Sequence, residues 1–128
     1  MADTEKITIN LSVVDLGQVD LLVEQGLYSS RSDLIRTAIR NQLSTHGDVV
    51  QAAVVRKSLG LGVLVYNHKD LEASLAKGEM LDIRLVGMVV LSNSITPELA
   101  RQAIRSLHVY GALRASPAVK DALADRMG

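Results

Sequence analysis

Apolar and polar residues alternate strictly over Lys6-Ile7-Thr8-Ile9-Asn10-Leu11. Side chains on a strand have period two, so this spacing predicts a strand with Ile7, Ile9 and Leu11 on one face and Lys6, Thr8 and Asn10 on the other. The period then changes. Ser12-Val-Val-Asp15 is a serine with an acid three residues on, which opens a helix, and Leu16, Val19, Leu22 and Val23 follow at helical spacing. With Gly26 as a stop, the pattern predicts a helix over roughly Val13–Gln25. Ser30 and Asp33 repeat the start signal, and Leu34, Ile35, Ala38, Ile39 and Leu43 make the next apolar stripe, predicting a second helix over roughly Arg31–Ser44.

A strand–helix–helix unit of ~45 residues buries too little surface to fold alone. Its strand also has one greasy face and no partner, which water does not tolerate. Two copies solve both problems if Lys6–Leu11 pairs antiparallel across a twofold axis with four helices beneath the ribbon. The face bearing Lys6, Thr8 and Asn10 is then left bare. A two-stranded ribbon fits the major groove of B-DNA, where Lys and Asn read base edges and Thr donates, accepts or touches a thymine methyl.

Ile7-Thr-Ile-Asn-Leu-Ser12, a helix, then Gly26-Leu-Tyr-Ser-Ser-Arg-Ser-Asp-Leu-Ile-Arg36 and Ala38-Ile-Arg40 resembles the ribbon-helix-helix family, the CopG/MetJ/Arc type of bacterial DNA-binding protein, over about residues 5–43. The resemblance implies that Lys6, Thr8 and Asn10 read bases. It also implies that the start of the second helix, Ser30, Arg31 and Ser32, clamps a phosphate, in keeping with the free amides and the dipole of a helix N-terminus. The expected partners are a double-stranded DNA operator and a second copy of the chain.

Beyond Ser44-Thr-His-Gly-Asp48, which reads as a hinge, Val49–Lys57 leans helical and the pattern then becomes self-similar. Leu81-Asp-Ile-Arg-Leu-Val-Gly-Met-Val-Val-Leu-Ser92 superposes on residues 106–116 at a shift of 24: Ile83 on Leu107, Leu85 on Val109, Gly87 on Gly111, Val89 on Leu113, Leu91 on Ala115. Each stretch predicts a strand followed by a helix with Pro in its first turn, Pro97–Leu107 and Pro117–Arg126. A fainter third copy precedes them, Leu59–Tyr66 and then Asp70–Lys77. The period suggests a short solenoid with parallel strands; an ordinary compact sensor domain is the alternative. The fold class expected is therefore α+β. Residues 1–46 form a ribbon-helix-helix domain for DNA binding and dimerisation, and residues 47–128 a repeat-like β/α domain for oligomerisation or partner binding.

Composition narrows the chemistry. There is no Cys, Phe or Trp among 128 residues, so the core is aliphatic and thiolate chemistry is excluded. His46, His68 and His108 have no ligand spacing, no nucleophile is paired with a base, and no Gly-rich phosphate loop is present. No metal, no cofactor and no enzymatic activity are expected. The acidic, polar start and the absence of a long apolar run point to a cytoplasmic protein with no membrane partner. Residues 1–46 hold six acids and four bases, a net charge of −2. That predicts weak non-specific binding and reliance on specific contacts or on several dimers acting together. The expected function is a sequence-specific regulator, a repressor in the simplest form, whose C-terminal domain builds higher assemblies. The alternatives are a scaffold protein that multimerises through its C-terminal repeats, or an antitoxin.

Overall fold

Two serine caps set the first two helices, as the start signals predict. The Oγ of Ser12 accepts from the amide of Asp15 at 3.1 Å and opens α1, Val13–Glu24. The Oγ of Ser30 accepts from the amide of Asp33 at 3.1 Å and opens α2, Arg31–Thr45. α1 ends on Gly26, whose φ of +83° suits glycine; Gly26 N–H donates to the Val23 carbonyl at 3.0 Å and Leu27 N–H to the Leu22 carbonyl at 3.2 Å. This pair of bonds is a Schellman stop. The expected hinge over Ser44–Asp48 is instead a one-residue break. α2 stays helical through Thr45, whose hydroxyl donates to the Asn41 carbonyl, His46 caps it, and α3, Gly47–Arg56, starts at once.

The computed structural model describes residues 4–127; residues 1–3 and 128, at the ends of the two expected domains, lie outside the described residues. Two compact units emerge, one of Lys6–Val55 and one built from Arg56 onward. In the first unit Leu16, Val19, Val23, Tyr28, Leu34 and Ile35 are half-buried, and none of the three helices contains a fully buried residue. Among the described residues Lys6–Leu11 pairs with no strand.

The second unit alternates strand and helix: β1, Gly60–Tyr66; α4, His68–Ala76; β2, Leu81–Leu91; α5, Pro97–Ala103; β3, Ile104–Arg114; α6, Pro117–Leu123, with a 3-10 turn at Ala124–Arg126. The three strands form one parallel sheet in the order β1-β2-β3. Ile83, Leu85, Val89 and Leu91 of β2 and Leu107 of β3 pack into a core with Leu71 of α4, Leu99 of α5, and Val119 and Leu123 of α6. These strand residues share one face of the sheet, so the helices cover that face.

The register reproduces the self-similarity read along the chain. Ile83 pairs with Leu107, Leu85 with Val109, Gly87 with Gly111 and Val89 with Leu113; on the other side of β2, Gly62 pairs with Gly87. The three glycines take φ values of +133°, +140° and +128°. A Cβ on Gly87 would stand 1.9 Å from the carbonyl oxygen of Gly62, and one on Gly111 would stand 2.1 Å from that of Gly87. At Gly87 and Gly111 only glycine fits, both for the backbone conformation and for the close approach of the neighbouring strand; at Gly62 the backbone conformation alone favours it.

Several boundaries differ from expectation. α4 starts at His68 rather than Asp70, because Asn67 and Asp70 form a full capping box: the Asp70 amide donates to Asn67 Oδ1 at 2.9 Å and the Asn67 amide to Asp70 Oδ2 at 2.8 Å. α5 stops at Ala103 rather than Leu107. β3 therefore starts at Ile104, two residues before the stretch that predicts it, and ends at Arg114, so the expected Leu91–Ala115 pair does not form and Leu91 pairs only with Tyr66 of β1. A bulge follows the first pair of β3. Leu81 pairs with Ile104 but Asp82 with Ser106, leaving Arg105 as the extra residue. Asp82 holds that bulge, accepting from Arg105 Nε at 3.0 Å and from Ser106 Oγ at 2.7 Å. α6 ends at Leu123 and tightens into the 3-10 turn over the last three residues expected to be helical.

Candidate nucleic-acid interface

Lys6, Thr8 and Asn10 are all exposed. So are their apolar neighbours, with Ile7 72%, Ile9 59% and Leu11 42% exposed. Three large aliphatic side chains at alternate positions, bare to water, are a surface in want of a partner. Fully burying each would contribute about 1.5–3 kcal/mol. The rest of the first unit repeats the observation: Leu21, Leu22, Leu27, Ile39 and Leu43 are exposed as well.

The second set of expected site residues lies at the start of α2. Ser30 is the cap residue, with its hydroxyl committed to the Asp33 amide. Arg31 and Ser32 are the first two helical residues and both are exposed. Their amides belong to the first-turn donors that a helix leaves without internal partners. Two carboxylates crowd this spot. Asp33 Oδ2 accepts from the Ser29 amide at 3.0 Å and from the Ser29 hydroxyl at 3.2 Å. Asp20 of α1 takes the whole Arg31 guanidinium, with Nε to Oδ1 at 2.7 Å and Nη2 to Oδ2 at 2.8 Å. The hydrogen bond from Arg31 holds the Asp20 carboxyl below its ordinary range, and the same bond raises the Arg31 guanidinium further.

The structure thus brings Ser30, Arg31 and Ser32 together by adjacency and leaves Lys6, Thr8 and Asn10 free on a separate segment. Sequence reasoning missed Asp20. It sits 11 residues before Arg31, and only the helix–turn–helix geometry brings the two side chains together; no local spacing signals the pair.

His46 caps α2, His68 opens α4 beside Glu72, and His108 lies in β3. Among the described residues no three His, Asp or Glu side chains gather as a metal site would require, and no helix is long and apolar enough to cross a membrane.

A model of the Ribbon-Helix-Helix transcriptional regulator family matches residues 2–120. The match runs well past the 5–43 stretch whose motifs carry the resemblance, through the whole parallel sheet and into α6. No curated protein and no solved structure matches the chain.

Proposed function

Because the chain belongs to the ribbon-helix-helix transcriptional regulator family, we propose that it acts as a homodimeric, sequence-specific DNA-binding regulator with no enzymatic step, in the simplest case a repressor. Two copies of Lys6–Leu11 pair antiparallel, bury Ile7, Ile9 and Leu11 on the four underlying helices, and offer Lys6, Thr8 and Asn10 to the major groove. The amides of Arg31 and Ser32, with the Ser30 cap, take a backbone phosphate. Residues 1–46 carry this work. Residues 47–128 join dimers into a larger assembly, which offsets the weak electrostatics of an N-terminal segment with net charge −2.

The observation that supports this reading best is the bare apolar face of Lys6–Leu11 in a unit whose helices bury no residue completely. Ile9→Asp tests it by sedimentation and DNA binding. The reading expects a chain that no longer pairs through its N-terminus and no longer binds DNA. A variant that dimerises and binds as the parent does would overturn it.

A further inference from the structure

Among the described residues neither outer edge of the parallel sheet is paired, and the two edges complement each other. β1 has β2 on one side only, and so does β3. β1 is largely bare: Leu61 and Val65 are 63% and 64% exposed on one face, and Leu64 is exposed on the face that the helices cover, where Tyr66 packs on the core. A shallow groove of about 320 Å³ runs along β3, lined by Leu107 to Gly111, Leu113 and Met127. Parallel strands are ordinarily covered or paired on every side.

The glycine register gives these edges a direction. Gly62 presents its carbonyl to Gly87, and Gly87 presents its carbonyl to Gly111. At one end of the series Gly62 repeats the same positive φ, yet the space its Cβ would fill is open. At the other end, among the described residues, no strand follows β3 to receive Gly111. One edge is the complement of the other, and the two are related by one more step of the pairing that already joins β1 to β2 and β2 to β3.

We propose that the sheet continues between subunits, β1 of one copy lying parallel to β3 of the next with Gly62 against Gly111. This rests on the assembly role given above to residues 47–128 and names the surface that performs it. The register puts Leu61 beside Tyr110, Val63 beside Ala112 and Leu64 beside Leu113, extending the rows Leu61–Val86–Tyr110, Val63–Met88–Ala112 and Leu64–Val89–Leu113 already formed inside the chain. The occupant is therefore a second copy, whose edge supplies the matching backbone and matching apolar rows. The contact is head-to-tail, joins each copy to two others and builds rings or open chains.

The chain has no cysteine, so single cysteines report on this contact cleanly. Full-length Val63→Cys and Ala112→Cys chains are co-expressed and oxidised. Neighbouring strands lie about 4.8 Å apart, inside the Cα separation a disulfide spans. The expected result is a disulfide between one variant and the other, with none when either is oxidised alone; under reducing conditions both keep the parent's oligomer distribution. A Val63→Cys chain that cross-links to itself overturns the head-to-tail arrangement in favour of β1 meeting β1. No cross-link, while the parent sediments above a dimer, overturns this surface and leaves the assembly role standing. A parent that never exceeds a dimer removes the assembly role and this inference with it.

Discussion

Arg31, the first residue of α2, closes a two-point ion pair on Asp20 of α1, with both contacts between 2.7 and 2.8 Å. The pair ties the two helices together and occupies the one guanidinium at the proposed phosphate site. A phosphate that recruits Arg31 must displace a carboxylate. Asp20→Asn should therefore raise DNA affinity with little change in stability, because both groups are exposed and exposed pairs contribute little. Arg31→Gln should lower affinity and reduce the slope of log K against log salt by about one. DNA titrations at several salt concentrations check both. Unchanged binding in the two variants would leave Arg31 as a helix clamp alone.

The glycine series predicts a graded response to alanine. Within one chain a methyl at Gly62 meets no atom, so in a chain not joined to a neighbour Gly62→Ala carries the strain of its positive φ alone, about 1–3 kcal/mol. At Gly87 the same methyl also drives into the Gly62 carbonyl, and β1 cannot keep its register. Urea unfolding should show a modest loss for Gly62→Ala and a far larger one, or no folded sheet at all, for Gly87→Ala. Equal losses at the two positions would contradict the close packing of β1 on β2.

Asp82 gives the sheet unit an acid-sensitive contact. Hydrogen bonds from Arg105 first, and Ser106 second, lower its carboxyl from 3.8 to about 2. As pH falls the unfolded chain takes up the proton before the folded one, so the contribution of Asp82 is full above 3.8 and vanishes once pH drops below about 2. The difference in urea midpoint between the parent and Asp82→Asn should be largest near neutral pH and shrink toward zero in strong acid. A pH-independent gap would show that the ion pair and the Ser106 bond do not secure the β3 bulge.

Much of this arrangement is legible in the sequence, for local reasons. Ser12 with Asp15 and Ser30 with Asp33 are caps that act within one turn, so spacing alone locates α1 and α2. The shift of 24 that superposes Gly87 on Gly111 is also the pairing register, because stacking like units in parallel sets equivalent residues side by side. The end of α5 was not legible. Nothing like Gly26 follows Ala103, and the chain passes into β3 where Ile104 pairs with Leu81 of another strand, just before the bulge at Arg105 that Asp82 holds. The Asn67–Asp70 box was readable but obscured by the stronger apolar signal of Leu71 and Leu75. For the candidate site, alternation alone picks out Lys6, Thr8 and Asn10. The engagement of Arg31 by Asp20 belongs to tertiary geometry and leaves no mark in the spacing.

A paired Lys6–Leu11 ribbon that reads DNA sequence through Thr8 and Asn10, with Lys6 beside them, is the proposal on which the rest depends. Its most direct test is to recover the DNA bound from a genomic pool at fixed salt by the parent and by a Thr8→Ala, Asn10→Ala double variant. The parent should enrich one motif, arranged as inverted or repeated half-sites. The variant should lose that preference, at about 1–3 kcal/mol for each base contact removed. Recovery of the same motif with the same affinity by both proteins would contradict it.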